Sequence, residues 1–120
     1  MLPRSHRLPS PDIDHVLRFG KRIPGELFQL IIAPNSSVDS GNLRSRFAFI
    51  VSTKVDKRAT HRNRIRRLLS ESVRLRMESI KPGYDCVFIA KKPFGDVGIG
   101  EVEKMVVEML SKAHLLSHEL

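Results

Sequence analysis

The feature that most constrains this chain is the run His61-Arg62-Asn63-Arg64-Ile65-Arg66-Arg67-Leu68-Leu69. It packs four arginines and an asparagine into residues 62–67 and continues into an apolar helical pattern. Ile65, Leu68, Leu69 and Val73 recur at i, i+3, i+4 and i+8, the spacing of one face of an amphipathic helix. Thr60 suits the N-cap. At about 100° per residue, Leu68, Leu69, Val73 and Leu75 fall within about 80° of Ile65, while Asn63, Arg66, Arg67 and Arg74 gather on the far side with Ser70. The pattern therefore predicts one helix with a buried aliphatic stripe and a guanidinium ridge.

Such a ridge suits a phosphate backbone, because the guanidinium fork is planar, permanently charged and bidentate toward phosphate oxygens. Asn63 adds a neutral donor and acceptor for a phosphate, a base edge or a 2′-hydroxyl. Lys54, Lys57, Arg58, Arg62, Arg64, Arg66, Arg67, Arg74 and Arg76 face only Asp56 and Glu71 across that span. Glu71 is placed to pair with Arg67 across one turn, leaving most of the ridge unpaired.

The rest of the composition fits a polyanion partner. Twenty-one basic residues against thirteen acidic give +8, which favours nucleic acid over an anionic membrane surface. No apolar run approaches the ~18–20 residues of a membrane span, no lipidation motif is present, and the N-terminus lacks an apolar signal-peptide core. The single cysteine, Cys86, forms no disulfide within the chain and fits a reducing cytoplasm. A 120-residue chain that is 41% hydrophobic is expected to be one domain with an ordinary core. No tryptophan and one tyrosine argue against a broad aromatic platform for bases.

In order, residues 1–9 read as a basic, proline-punctuated extended arm. Ser10-Pro11-Asp12 starts a helix with Ile13, Val16 and Leu17 on its apolar side, stopping at Gly20. Phe28 to Ala33 is a strand bounded by Gly25 and Pro34-Asn35, and residues 34–43 form a polar, mobile loop. In the second strand, Phe47 to Ser52, the set Phe47, Phe49 and Val51 looks like core. The alternate set Ala48, Ile50 and Ser52 leaves a shallow face for a ligand. The arginine helix runs to about Ser79, ended by Lys81-Pro82-Gly83. Tyr84 to Ala90 is a buried strand, residues 94–100 a glycine-rich turn, and Glu101 to Ala113 an amphipathic helix whose acidic outer side faces away from nucleic acid. The order is α-β-β-α-β-α, a single α+β domain with helices collected on one sheet.

Catalytic chemistry is hard to place on the protein. No carboxylate pair has a spacing suited to metal or general-base work, and the histidines show no zinc pattern. Asp12 and Asp14 suit the positive end of the first helix. Asp85 has little to mark it as catalytic, and Cys86 reads as a small buried hydrophobe. Gly95, Gly98 and Gly100 do not make a phosphate loop. We assign no catalytic and no metal-ligating residue.

The strand ending Phe49-Ile50-Val51-Ser52-Thr53-Lys54, then Thr60-His61-Arg62-Asn63-Arg64-Ile65-Arg66-Arg67-Leu68-Leu69, then Pro82-Gly83-Tyr84-Asp85 and the strand ending Ala90-Lys91, resembles the protein subunit of bacterial ribonuclease P. The resemblance runs from Arg7 through Leu115. It implies an α/β sandwich shared with a domain of ribosomal protein S5, with a left-handed βαβ crossover and a further short strand that the sequence does not reveal. It implies a ribonucleoprotein, one protein per RNA, that removes the 5′ leader of precursor tRNA in the cytoplasm, with the active site and its Mg2+ on the RNA. Carried over by position, Lys54, Arg58, Arg62, Asn63, Arg64, Arg66 and Arg67 would bind the catalytic RNA or flank the cleavage site. Ile13, Leu17, Ile31, Ala48, Ile50 and Ser52 would form the leader-binding cleft. Several relatives carry aromatics where this chain has Ile13, Leu17 and Ile31. Aliphatic residues there give up stacking worth ~1–3 kcal/mol per base. A structural rRNA-binding protein and a protein-only nuclease are the competing readings.

Overall fold

Side-chain alternation along the strands decides the layering. Along Tyr84–Ala90, the residues Cys86, Phe88 and Ala90 enter one apolar cluster while Val87 and Ile89 enter another. The two sets therefore point to opposite faces of a sheet covered on both sides. The computed structural model describes residues 2–35 and 44–116. Its elements are α1 (Ser10–Phe19), β1 (Lys21–Ile23), β2 (Phe28–Pro34), β3 (Arg46–Ile50), α2 (Ala59–Leu75), β4 (Tyr84–Ala90) and α3 (Ile99–Lys112). The strands form one sheet in the order β1-β2-β4-β3. β2 is antiparallel to β1 and β4, whereas β3 and β4 are parallel. Adjacent parallel strands need a long crossover, and α2 supplies it, so β3–α2–β4 is the βαβ unit that the resemblance implies.

On one face α2 and α3 pack Ile65, Leu69, Val73, Val102, Val106 and Leu110 over Phe28, Leu30, Phe47 and Phe88. Fully burying a side chain of this size is worth about 1.5–3 kcal/mol, so this layer dominates the core. On the other face α1 packs, through Val16 and with Leu8 in the same cluster, over Ile31, Ala33, Ala48 and Val87. Helices thus lie on both sides of the sheet.

Several sequence expectations shift. β1 is the strand the sequence hid: three residues, two of them exposed, too short for a period-two pattern. α1 starts one residue early, with Pro9 rather than Ser10 at the N-cap, and Pro11 lies in its first turn. α2 begins at Ala59 with Arg58 as N-cap, so Thr60 is already inside it. It ends at Leu75, and residues Met77–Ser79 form a separate 3-10 turn. Leu75 is half exposed rather than part of the stripe. Residues 2–9 are docked rather than extended: Leu2 and Leu8 are buried, and the Leu8 N–H donates to the Phe47 carbonyl at 2.9 Å. That segment covers the outer edge of β3, which would otherwise expose unpaired backbone. Of the loop expected at 34–43, Pro34 closes β2 and Asn35 is buried; residues 36–43 lie outside the described residues.

Candidate nucleic-acid interface

Asp56 builds the start of α2. Its Oδ1 accepts the Arg58 backbone N–H at 3.0 Å and its Oδ2 is hydrogen-bonded to His61 Nδ1 at 2.9 Å. The Arg58 N–H, with help from His61, holds the Asp56 carboxyl below the usual carboxylate range. The carboxylate thus satisfies an otherwise unpaired donor at the positive end of the helix. Arg62 Nη1 reaches back to the carbonyls of Asp56 and Lys57, at 3.0 and 2.9 Å. His61 is therefore committed to Asp56.

The remaining ridge residues divide by role. Arg64 donates to the carbonyls of Gly95 and Val97 at 3.2 and 2.7 Å, tying α2 to the turn before α3. Gly95 holds φ +59 there, a left-handed conformation that favours glycine. Arg66 donates to Asn63 Oδ1 at 2.7 Å and to the Val51 carbonyl at 3.5 Å. The exposed Arg67 guanidinium bonds to none of the described residues. Glu71 pairs with Arg74, not with Arg67 as the sequence suggests, and this lowers the Glu71 carboxyl. Among the described residues, no carboxylate pairs with Arg62, Arg64, Arg66 or Arg67. Arg62, Arg64 and Arg66 are partnered by neutral oxygens, so these side chains are held while the charges stay uncompensated. Lys54 and Arg58 are exposed beside them.

The expected cleft residues meet on the α1 side of the sheet. Ile13 and Leu17 on α1 and Ile50 on β3 are half-buried around one cluster. Ile31 and Ala48 are the floor: Ile31 is fully buried and Ala48 nearly so. Ile31 lies under the end of α1, where a Cβ on Gly20 would stand 2.6 Å from its Cγ2. It is core in this structure, not a surface that a leader reaches. Ser52 is exposed beyond the end of β3. Ile89 joins the same cluster, half-buried beside Ile50. Sequence reasoning missed it because the apolar run of β4 does not say which residues face which side.

A family model described as Ribonuclease P matches residues 2–114. The chain belongs to the ribonuclease P protein family. It is similar to the ribonuclease P protein component of Dehalococcoides mccartyi, 40% identical over 106 residues that cover 88% of this chain and 82% of the relative. That of Pelotomaculum thermopropionicum is 35% identical, with coverage of 87% and 88%. Among solved structures, the ribonuclease P protein of Thermotoga maritima superposes with a TM-score of 0.76 at 26% identity, covering 88% of this chain and 96% of that one.

Within the ribonuclease P fold, two of the acids singled out in the sequence, Asp12 and Asp85, are structural. Asp85 is fully buried and receives Arg46 at both oxygens, at 3.0 and 2.9 Å. Arg46 also reaches Asp12 at 3.0 Å and Asn35 Oδ1 at 3.4 Å. The Asp85 bonds are the main reason the Arg46 guanidinium holds its proton more tightly than usual. This network clamps the N-terminal end of α1 onto β3 and β4, and sequence analysis did not assign Arg46 to it. The Cys86 thiol is fully buried, and burial pushes its pKa up, leaving it inert. Among the described residues, no three His, Cys, Asp or Glu side chains form a group that could hold a metal ion, and no helix is long and apolar enough to cross a membrane.

Proposed function

We propose that this chain is the protein subunit of a ribonuclease P ribonucleoprotein. It binds the catalytic RNA through α2 and the 5′ leader of precursor tRNA along α1 and β3, one protein per RNA, in the cytoplasm. The observation that carries this reading is the α2 ridge, where anchored arginines keep uncompensated charge. Preorganised guanidinium groups lose little entropy on binding and match phosphate geometry. Arg67, Lys54 and Arg58 are the exposed contacts, while Arg62, Arg64 and Arg66 are set in place by backbone or Asn63 oxygens. The leader would lie along the half-buried edge formed by Ile13, Leu17, Ile50 and Ile89, with Ser52 at its end. These aliphatic side chains pack on sugar and base without the stacking an aromatic ring would add. In this reading cleavage and its Mg2+ belong to the RNA, while the protein raises local positive charge and positions the substrate.

The test is leader cleavage of a precursor tRNA at low magnesium, with a matched bacterial ribonuclease P RNA alone, this protein alone, and both together. Cleavage in the mixture only is the expected result. Chelator-sensitive cleavage by the protein alone would put the chemistry on the protein. No stimulation by folded protein would leave a structural RNA binder.

A further inference from the structure

Beside α2 lies a groove of about 890 Å3, outside the leader cleft and on the opposite face of the sheet. This volume is in the range of small-ligand sites, about 300–1,000 Å3. Its apolar wall includes Phe47, Phe49 and Leu68, and its charged wall includes Arg7, Arg66 and Arg67. Phe49 is half-buried. One side of its ring is backed by Phe88, with centroids 5.7 Å apart and planes inclined by 16°, which fixes its orientation. Arg66 is held by Asn63 Oδ1 and the Val51 carbonyl. Arg67 makes no bond to the described residues. Glu71 also lines the groove, but its charge is offset by Arg74.

A fixed aromatic ring next to uncompensated guanidinium groups matches the two halves of a nucleotide, a flat base and an anionic phosphate. An apolar peptide would use the phenylalanine wall and leave the arginines unmatched. We propose that this groove receives a single unpaired nucleotide of the bound RNA, its base against Phe49 and its phosphate on Arg67 and Arg66. The proposal rests on the RNA-binding reading above and adds to it a preference for RNA with an extruded base at this position.

The experiment compares two RNA hairpins that differ only by one bulged 2-aminopurine. The protein should bind the bulged hairpin roughly 5- to 140-fold more tightly than the paired one, the range that stacking on one aromatic ring supplies. The fluorescence of the bulged base should change on binding. Phe49→Ala should remove both the preference and the fluorescence change, and Phe49→Tyr should keep them. Because Phe49 also packs on Phe88, Ser70→Trp serves as a second variant that fills the groove from the helix surface. It should abolish the preference with the circular dichroism unchanged. Equal binding of the two hairpins, or a preference that survives Ser70→Trp, would overturn the groove proposal while arginine-dependent binding stands. Failure to bind either hairpin would instead overturn the RNA-binding reading itself.

Discussion

Arg46 shows how a single side chain sets the position of an element. Asp85 has no exposure to solvent, and an ionised carboxylate there is tolerated only because Arg46 meets both oxygens. Arg46→Ala should destabilise the protein by about 3–5 kcal/mol in urea unfolding, because it leaves a buried charge unpaired. Arg46→Lys should recover only part of this, since an ammonium cannot span both oxygens as the fork does. A loss under about 1 kcal/mol for the alanine variant would mean that water enters and solvates Asp85. Gly20 carries a related lesson. The sequence marks it correctly as the end of α1, and a left-handed cap is the usual reason. Here its φ is −76°, and the need for glycine comes from crowding instead. A Cβ would stand 2.5 Å from the Val16 carbonyl oxygen and 2.8 Å from that of Ile32.

At the scale of the element, α2 does two jobs with one set of arginines. Arg62 and Arg64 hold the connection before the helix and the turn at residues 95–97, and Arg66 and Arg67 face the groove. The paired change Arg66→Ala with Arg67→Ala should therefore weaken binding to the catalytic RNA without unfolding the domain. For each phosphate left without its guanidinium, the log–log salt dependence should flatten by about 0.7–0.9. An unchanged slope in a salt titration would make the ridge a solvated surface only. The helix itself was legible because its apolar spacing and its arginines sit on opposite sides of one repeat. Its internal partners were not. That Glu71 takes Arg74 rather than Arg67, and that Arg64 crosses to α3's leading turn, depend on rotamers and on neighbours far along the chain.

Across the whole molecule, the sheet separates two surfaces. The arginine ridge lies with α2 on one face and the leader edge lies with α1 on the other; the two meet where β3 ends and leads toward Lys54. Changes on one face should spare the other. Leu17→Lys should leave affinity for the RNA subunit unchanged and weaken binding of a precursor tRNA leader. Leu17 is only half-buried at the rim of the α1 cluster, so its lysine can reach water while the stem stays packed. If thermal unfolding shows collapse of the domain instead, Leu17 is core and the cleft loses its helix wall.

By itself the sequence determined the single basic α+β domain, the order of its main helices and strands, and the arginine helix with its signature residues. These depend on local periodicity, capping chemistry and charge, all of which act over a few residues. Tertiary structure alone decided the rest. It placed β1 beside β2, docked residues 2–9 against β3, put α1 and α2 on opposite faces, and buried Ile31 while leaving Ile13, Leu17 and Ile50 at an edge. The physical reason is that burial and pairing are set by what packs against a residue from distant segments. An aliphatic side chain in an apolar strand carries no local mark of whether a helix will cover it.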